Sequence, residues 1–143
     1  PKRLIFGERL ARAEYLARYR VADLFLDTQP YNAGTTASDA LRMGLPIITL
    51  IGKSYQSRMG ASILNAINLP ELIASSEEEY ESFAIEIATN PEKHKKIKNK
   101  LESNLTKAPL FNTKLFTKNI ETAYKEMYER YDKGLEPDHI YVE

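Results

Sequence analysis

Leu24-Phe25-Leu26-Asp27-Thr28-Gln29-Pro30-Tyr31-Asn32-Ala33-Gly34-Thr35-Thr36-Ala37-Ser38-Asp39-Ala40-Leu41 reads as an apolar strand, a turn-rich loop and the opening of a helix. Leu24, Phe25 and Leu26 form the kind of run that fills a buried parallel strand. Gly34, Thr35 and Thr36 fall at the loop–helix junction, where a helix leaves its first backbone N–H groups unpaired. With the helix dipole behind them, those groups suit a phosphate. Asp39 follows about one turn later. A strand, a loop and a helix ending in a phosphate seat make half of a nucleotide site. The plainer reading also exists: Gly and Thr are ordinary N-cap residues, and a carboxylate early in a helix favours the dipole by itself.

Outward from this stretch, strands and helices alternate. Arg3 to Phe6 is an apolar run that predicts a strand. Glu8 to Tyr19 predicts a helix, with Leu10, Ala13 and Ala17 on one face and Arg12, Tyr15 and Arg18 on the other. Ala22 to Leu26 is the next strand, and Thr35 to Met43 the next helix, stopped by Gly44. Pro46 to Ile51 is a third strand and Gly52 to Ser54 a turn. Tyr55 to Ile67 is a helix turning Met59, Ile63 and Ala66 inward, and Leu72 to Ala74 a fourth strand. Ser76 and Glu79 have capping-box spacing ahead of a helix to Thr89 that buries Tyr80, Phe83, Ala84 and Ile87. Asn90-Pro91 opens a charged helix to Leu105. The last helix, Thr113 to Asp132, carries Leu115, Phe116, Ile120, Tyr124, Met127, Tyr128 and Tyr131 on a broad apolar face and ends at Gly134.

Such alternation implies a parallel sheet with helices on both faces. Ligands of these sheets sit outside the carboxyl ends of the strands. The Pro30–Thr36 loop and the Gly52–Ser54 turn both lie at such ends and are expected to face one pocket.

The bulk numbers exclude several classes. The 143 residues are about one domain's worth. Twenty basic and twenty acidic residues cancel, which speaks against a general polyanion or nucleic-acid binder. With no cysteine there is no disulfide and no thiolate metal site. His94 and His139 stand far apart in polar surroundings, so zinc is not expected. No apolar run approaches the roughly 20 residues that span a bilayer. The chain begins with Pro1 rather than Met, as a piece of a longer protein would. No G-x-G-x-x-G follows a strand, which argues against an NAD-binding domain.

The run Asp27 to Leu41 resembles the nucleotide-sugar loop of O-linked N-acetylglucosamine transferases, particularly that of their bacterial and plant Spindly-like relatives. Gly44-Leu45-Pro46-Ile47-Ile48-Thr49 and Ala108-Pro109-Leu110-Phe111-Asn112-Thr113 carry the resemblance further, in the same order along the chain. It covers about Leu4 to His139. It implies an α/β fold, a Rossmann-like parallel sheet forming the C-terminal lobe of a two-lobed (GT-B) glycosyltransferase. Residues 1–109 would be the nucleotide-sugar-binding lobe, and 110–143 a C-terminal helix and tail packing on it.

The same resemblance assigns roles. The backbone amides and threonine hydroxyls of Gly34, Thr35 and Thr36 would hold the diphosphate of UDP. Many animal-type members have His where this chain has Gly34; the change removes one phosphate donor and leaves the backbone seat. Asp39 would accept hydrogen bonds from the ribose hydroxyls. Arg12, Tyr15 and Arg18 occupy positions that are Lys, His and Arg in the family and contact ribose and uracil. Tyr15 can still stack on a pyrimidine, since stacking needs only a π face. Leu10 matches a position whose backbone contacts the base.

The reaction implied is transfer of a sugar from a nucleoside diphosphate to Ser or Thr of proteins, inverting and without metal. UDP-N-acetylglucosamine is the first expectation for the donor; plant Spindly-type relatives use GDP-fucose. No other cofactor is expected. The family's other catalytic lobe and its N-terminal helical repeats, which grip acceptor proteins, are the expected partners. Neither nucleic acid nor membrane is expected, and the expected compartment is the cytoplasm. No residue stands out as a general base, so no catalytic residue is assigned, and this stretch alone is expected to be inactive. The competing reading is a protein-interaction module on a degenerate α/β core, docking through its charged and tyrosine-rich helices.

Overall fold

Three short parallel strands lie in the order β1 (Phe25–Leu26), β2 (Ile47–Leu50), β3 (Ile73–Ala74). The computed structural model describes residues 3–142. Phe25 pairs with Ile47 and Leu26 with Ile48; Thr49 pairs with Ile73 and Leu50 with Ala74. A helix connects each strand to the next, as parallel pairing requires. These are α2 (Thr35–Arg42) and α3 (Met59–Ala66).

β2 is the centre of the core. Ile47, Ile48 and Thr49 are all 0% exposed. Successive strand residues point to opposite faces, so a strand with no exposed position is covered on both. α2, α3 and α4 (Glu77–Thr89) all pack on β2. Leu41 from α2, Leu64 from α3 and Leu101 from α5 (Pro91–Asn104) are fully buried in the same cluster. The expected α/β class, a parallel sheet wrapped by helices, is therefore present.

Local signals set most element ends. Gly44 takes a φ of 80° just past α2, the left-handed conformation that glycine adopts without strain. The Ser76 hydroxyl accepts the Glu79 N–H at 3.2 Å, and Asn90 Oδ1 accepts the Lys93 N–H at 3.0 Å. The Ser76–Glu79 capping box is half made: the Glu79 carboxylate accepts from Ser75 N–H and hydroxyl, both at 2.7 Å. Asn112 caps α6 (Thr113–Asp132) through the Leu115 N–H at 3.0 Å. One residue earlier, the Phe111 ring carries the Arg42 guanidinium 4.8 Å above its centroid. The Ala108–Thr113 stretch thus ties the end of α2 to the start of the last helix.

Four expectations need correction. Arg3 to Phe6 forms no strand: Leu4, Ile5 and Phe6 are 70%, 93% and 91% exposed and find no sheet partner among the described residues. The strand expected over Ala22–Leu26 is paired only at Phe25 and Leu26. The first helix, α1, runs only from Arg12 to Arg18, followed by a 3₁₀ turn over Tyr19–Val21. Its inner side is Tyr15 and Leu16, continued by Tyr19, while Ala13 and Ala17 are exposed. The small alanines gain little from burial, and the large rings take the inner side instead. Finally, the helix expected from Tyr55 begins as a 3₁₀ turn, Gln56–Arg58, before α3. There Ser54 and Ser57 hydrogen-bond one another's side chains and backbone, which competes with regular helix. The fully buried face of α3 is Gly60, Ala61 and Leu64; Met59, Ile63 and Ala66 are only half-buried.

α6 has no buried residue. Phe116, Tyr124, Met127, Tyr128 and Tyr131 are 54–80% exposed.

Candidate functional site

The chain leaves β1 at its carboxyl end and enters a tightly held loop. Asn32 is buried; its N–H donates to Gln56 O at 3.2 Å and its Nδ2 to Thr28 O at 3.1 Å. The Gln29–Pro30 peptide is cis. Gly34 is the N-cap of α2, with φ −102° and ψ −86°, and no side chain caps this helix. Ser38 is the first to donate within it, to Gly34 O at 3.0 Å. Thr35, Thr36 and Ala37 therefore open the helix with N–H groups that lack an intrahelical acceptor. Thr35 and Thr36 are exposed.

A β-carbon added at Gly34 would meet only Met59 Cγ, at 3.6 Å. That is ordinary contact. Neither packing nor a positive φ demands glycine here, so the open space above the helix end is what this residue provides.

Asp39 lies one turn further, 9% exposed. Arg12 Nη1 and Nη2 donate to its two carboxylate oxygens, each at 2.9 Å. The Arg12 guanidinium also stands 5.8 Å from the centroid of the Tyr15 ring. Tyr15 packs edge-on against Tyr19 with centroids 5.2 Å apart, and their hydroxyls hydrogen-bond. Burial holds the Tyr19 phenol neutral well above the ordinary tyrosine range. The Tyr15 hydrogen bond and the Asp39 charge push the same way, and Arg12 opposes them. Three of the residues singled out from sequence, Arg12, Tyr15 and Asp39, thus form one cluster beside the start of α2.

Arg18 is placed differently. It donates to Glu8 O at 2.8 Å and fits so closely under Gly7 that a β-carbon there would lie 2.5 Å from Arg18 Nη1. It fastens the segment before α1. Leu10 lies in that segment and is 39% exposed. Arg58 donates to Gly52 O at 3.3 Å and pins the turn after β2.

Hydrogen bonds join the flanks of the Gly52–Ser54 turn to the Pro30–Thr36 loop and its entry: Gln29 Nε2 donates to Leu50 O and the Asn32 N–H to Gln56 O. The recesses beside them are separate. One of about 350 Å³ is walled by Thr28, Tyr31, Asn32, Gly34 and Thr36. The other, about 470 Å³, is walled by Tyr55, Arg58, Met59 and Asn65. Each lies at the carboxyl end of a strand.

Sequence reasoning missed Tyr19, although Tyr15 and Tyr19 stand at i and i+4, where helical neighbours meet. It also missed the buried role of Asp27, whose partner lies 22 residues away.

This geometry can be set against known proteins. The sequence profile of Glycosyl transferase family 41 matches residues 1–120. This chain belongs to that family. A UDP-N-acetylglucosamine–peptide N-acetylglucosaminyltransferase of Caenorhabditis elegans is 34% identical over 140 residues, 98% of this chain and 12% of that protein. The probable enzyme of the same name, SEC, of Arabidopsis thaliana is 34% identical over 143 residues, and the probable SPINDLY enzyme of Hordeum vulgare 32% over 124. Among solved structures, a mutant O-GlcNAc transferase of Thermobaculum terrenum superposes with a TM-score of 0.78 at 32% identity, over 83% of this chain and 23% of that one. This family 41 chain spans only 12–15% of the length of these relatives. Its fold is that of a Rossmann-like lobe of a GT-B glycosyltransferase, as the resemblance implied. No helix among the described residues is long and apolar enough to cross a membrane.

Proposed function

We propose that this chain is the nucleotide-sugar-binding lobe of a protein O-glycosyltransferase, residues 1–109 forming the lobe and 110–143 a C-terminal helix and tail. The supporting observation is the uncapped start of α2 at the carboxyl edge of a parallel sheet, with Asp39 and Arg12 one turn away. The amides and hydroxyls of Gly34, Thr35 and Thr36 hold the diphosphate. Asp39 accepts from the ribose hydroxyls. Each carboxylate oxygen keeps a second lone pair when Arg12 occupies the first, so the ribose need not displace Arg12. Tyr15 offers a ring to the base, Leu10 its backbone, and Arg18 holds the Gly7–Glu8 segment that leads into α1. UDP-N-acetylglucosamine is the donor, and Ser or Thr of a protein the acceptor.

The contribution to chemistry is grip on the leaving group. As the glycosidic bond breaks, negative charge grows on the diphosphate. Amides and a helix dipole already aimed there stabilise that charge more in the transition state than in the ground state. No metal ion is required, and the anomeric centre inverts. The acceptor site and the base that activates the hydroxyl belong to other parts of the whole protein.

Calorimetric titration with UDP, GDP and NAD tests the reading. UDP is expected to bind, with GDP weaker and NAD inert. Absence of binding by all three would favour the competing reading, a protein-interaction module using the exposed aromatic face of α6.

A further inference from the structure

Asp27 is a carboxylate at the end of β1, 3% exposed. Burying a charge is costly unless it is paired or fully hydrogen-bonded. No cation pairs with it among the described residues; hydrogen-bond donors do the work. Oδ1 accepts the Ala33 N–H at 2.7 Å, and Oδ2 accepts the Thr49 hydroxyl at 2.7 Å. Its own N–H donates to Ile48 O at 3.1 Å, and its carbonyl accepts the Tyr80 hydroxyl at 2.7 Å. Three elements, β2, α4 and the loop before α2, thus meet on one residue. α3 closes over the pair so tightly that a β-carbon at Gly60 would lie 2.5 Å from both Asp27 Oδ2 and Thr49 Oγ1.

Ala33 immediately precedes the N-cap of α2. Its N–H, turned onto Asp27, fixes the loop just before the amides proposed to take phosphate. We propose that Asp27 is the positioning residue of the diphosphate seat, acting through Ala33 and braced by Thr49; this rests on the donor-binding reading above. The charge argument alone runs the other way. A buried anion behind an anion site repels the ligand, so removing that charge should tighten binding. If the geometry of the loop governs, removing it weakens binding although the repulsion is gone. The sign of the change therefore separates the two.

The experiment compares UDP with uridine, which has the base and ribose but no phosphate, on wild type, Asp27→Asn, Thr49→Val and Thr49→Ser. An amide in place of the carboxylate keeps one acceptor oxygen for two donors and leaves a buried donor unmatched. Asp27→Asn is expected to weaken UDP on the order of tenfold while uridine stays within about twofold. Thr49→Val is expected to lose UDP affinity in part, and Thr49→Ser to keep it. The Thr49 pair decides the question if Asp27→Asn does not fold. Unchanged or tighter UDP binding by a folded Asp27→Asn, an equal loss for UDP and uridine, or wild-type UDP affinity in Thr49→Val would overturn the inference. UDP failing to bind the wild type would overturn the donor reading and this inference with it, whereas the other outcomes strike this inference alone.

Discussion

Arg12 closes on both carboxylate oxygens of Asp39, at 2.9 Å each, across 27 residues of sequence. Arg12 is 64% exposed at its side chain and Asp39 12%. Solvent screens such a pair, so its worth to stability is about 1 kcal/mol or less. Its geometry matters more: the guanidinium fork holds the carboxylate in one orientation beside the start of α2. Asp39→Asn keeps the shape and removes the charge. UDP should bind roughly 10–150-fold more weakly, the equivalent of the ~1.5–3 kcal/mol of a charge-assisted hydrogen bond. Uracil alone should bind as before, and the melting temperature should hardly move. Equal UDP affinity in mutant and wild type, by calorimetry, would return Asp39 to a helix-dipole role.

Gly34→Ala separates ligand space from folding. The added methyl meets nothing of the protein nearer than Met59 Cγ at 3.6 Å, and the backbone φ is negative. Thermal stability should fall by about 1 kcal/mol at most, the cost of alanine at an N-cap. UDP affinity should fall, because the methyl enters the space into which the phosphate is proposed to come. A stable mutant with undiminished affinity would place the phosphate elsewhere.

Alkaline pH should destabilise the fold through Tyr19. Its phenol ionises above the ordinary range, chiefly through burial. A group whose pKa is raised on folding contributes its stability in full below the unfolded value, about 10, and loses it as pH rises through the folded one. Tyr80 is raised as well, by burial and then by the Asp27 charge. A phenolate absorbance titration of the nine tyrosines checks this. Tyr19 and Tyr80 should ionise last, with unfolding. Tyr19→Phe should flatten the alkaline loss of stability; an unchanged slope would contradict this assignment.

Much of the fold was legible because its signals are local. α2 lies between a Gly-Thr-Thr start and the Gly44 stop, and Ser76 and Asn90 cap two later helices as their sequence contexts indicate. What failed was non-local. The Arg3–Phe6 run has the composition of a strand, but composition names no neighbour to pair with. The inner side of α1 was misread because alanine spacing suggested a stripe, whereas Tyr15 and Tyr19 had more surface to bury. In the site, Arg12, Tyr15 and Asp39 lie together although 27 residues separate the first from the last. The Asp27–Thr49 hydrogen bond was hidden because it joins two strands.

Divalent ions should leave UDP affinity unchanged. No group of three or more acidic or histidine side chains among the described residues is placed to hold a metal ion, and the proposed seat neutralises the diphosphate with amides and a helix dipole. Affinity measured in EDTA and again with magnesium or manganese checks this. A gain of about tenfold on adding metal, roughly 1.4 kcal/mol, would overturn it.

The central claim is that the start of α2 receives a diphosphate. A UDP titration followed by backbone amide NMR shifts addresses it residue by residue. The account predicts that the amides of Thr35 and Thr36 move most, with Asp39 and the residues around Arg12 and Tyr15 next, and that uridine reproduces only the second group. Shifts confined to α5 and α6, with Thr35 and Thr36 unmoved, would contradict it.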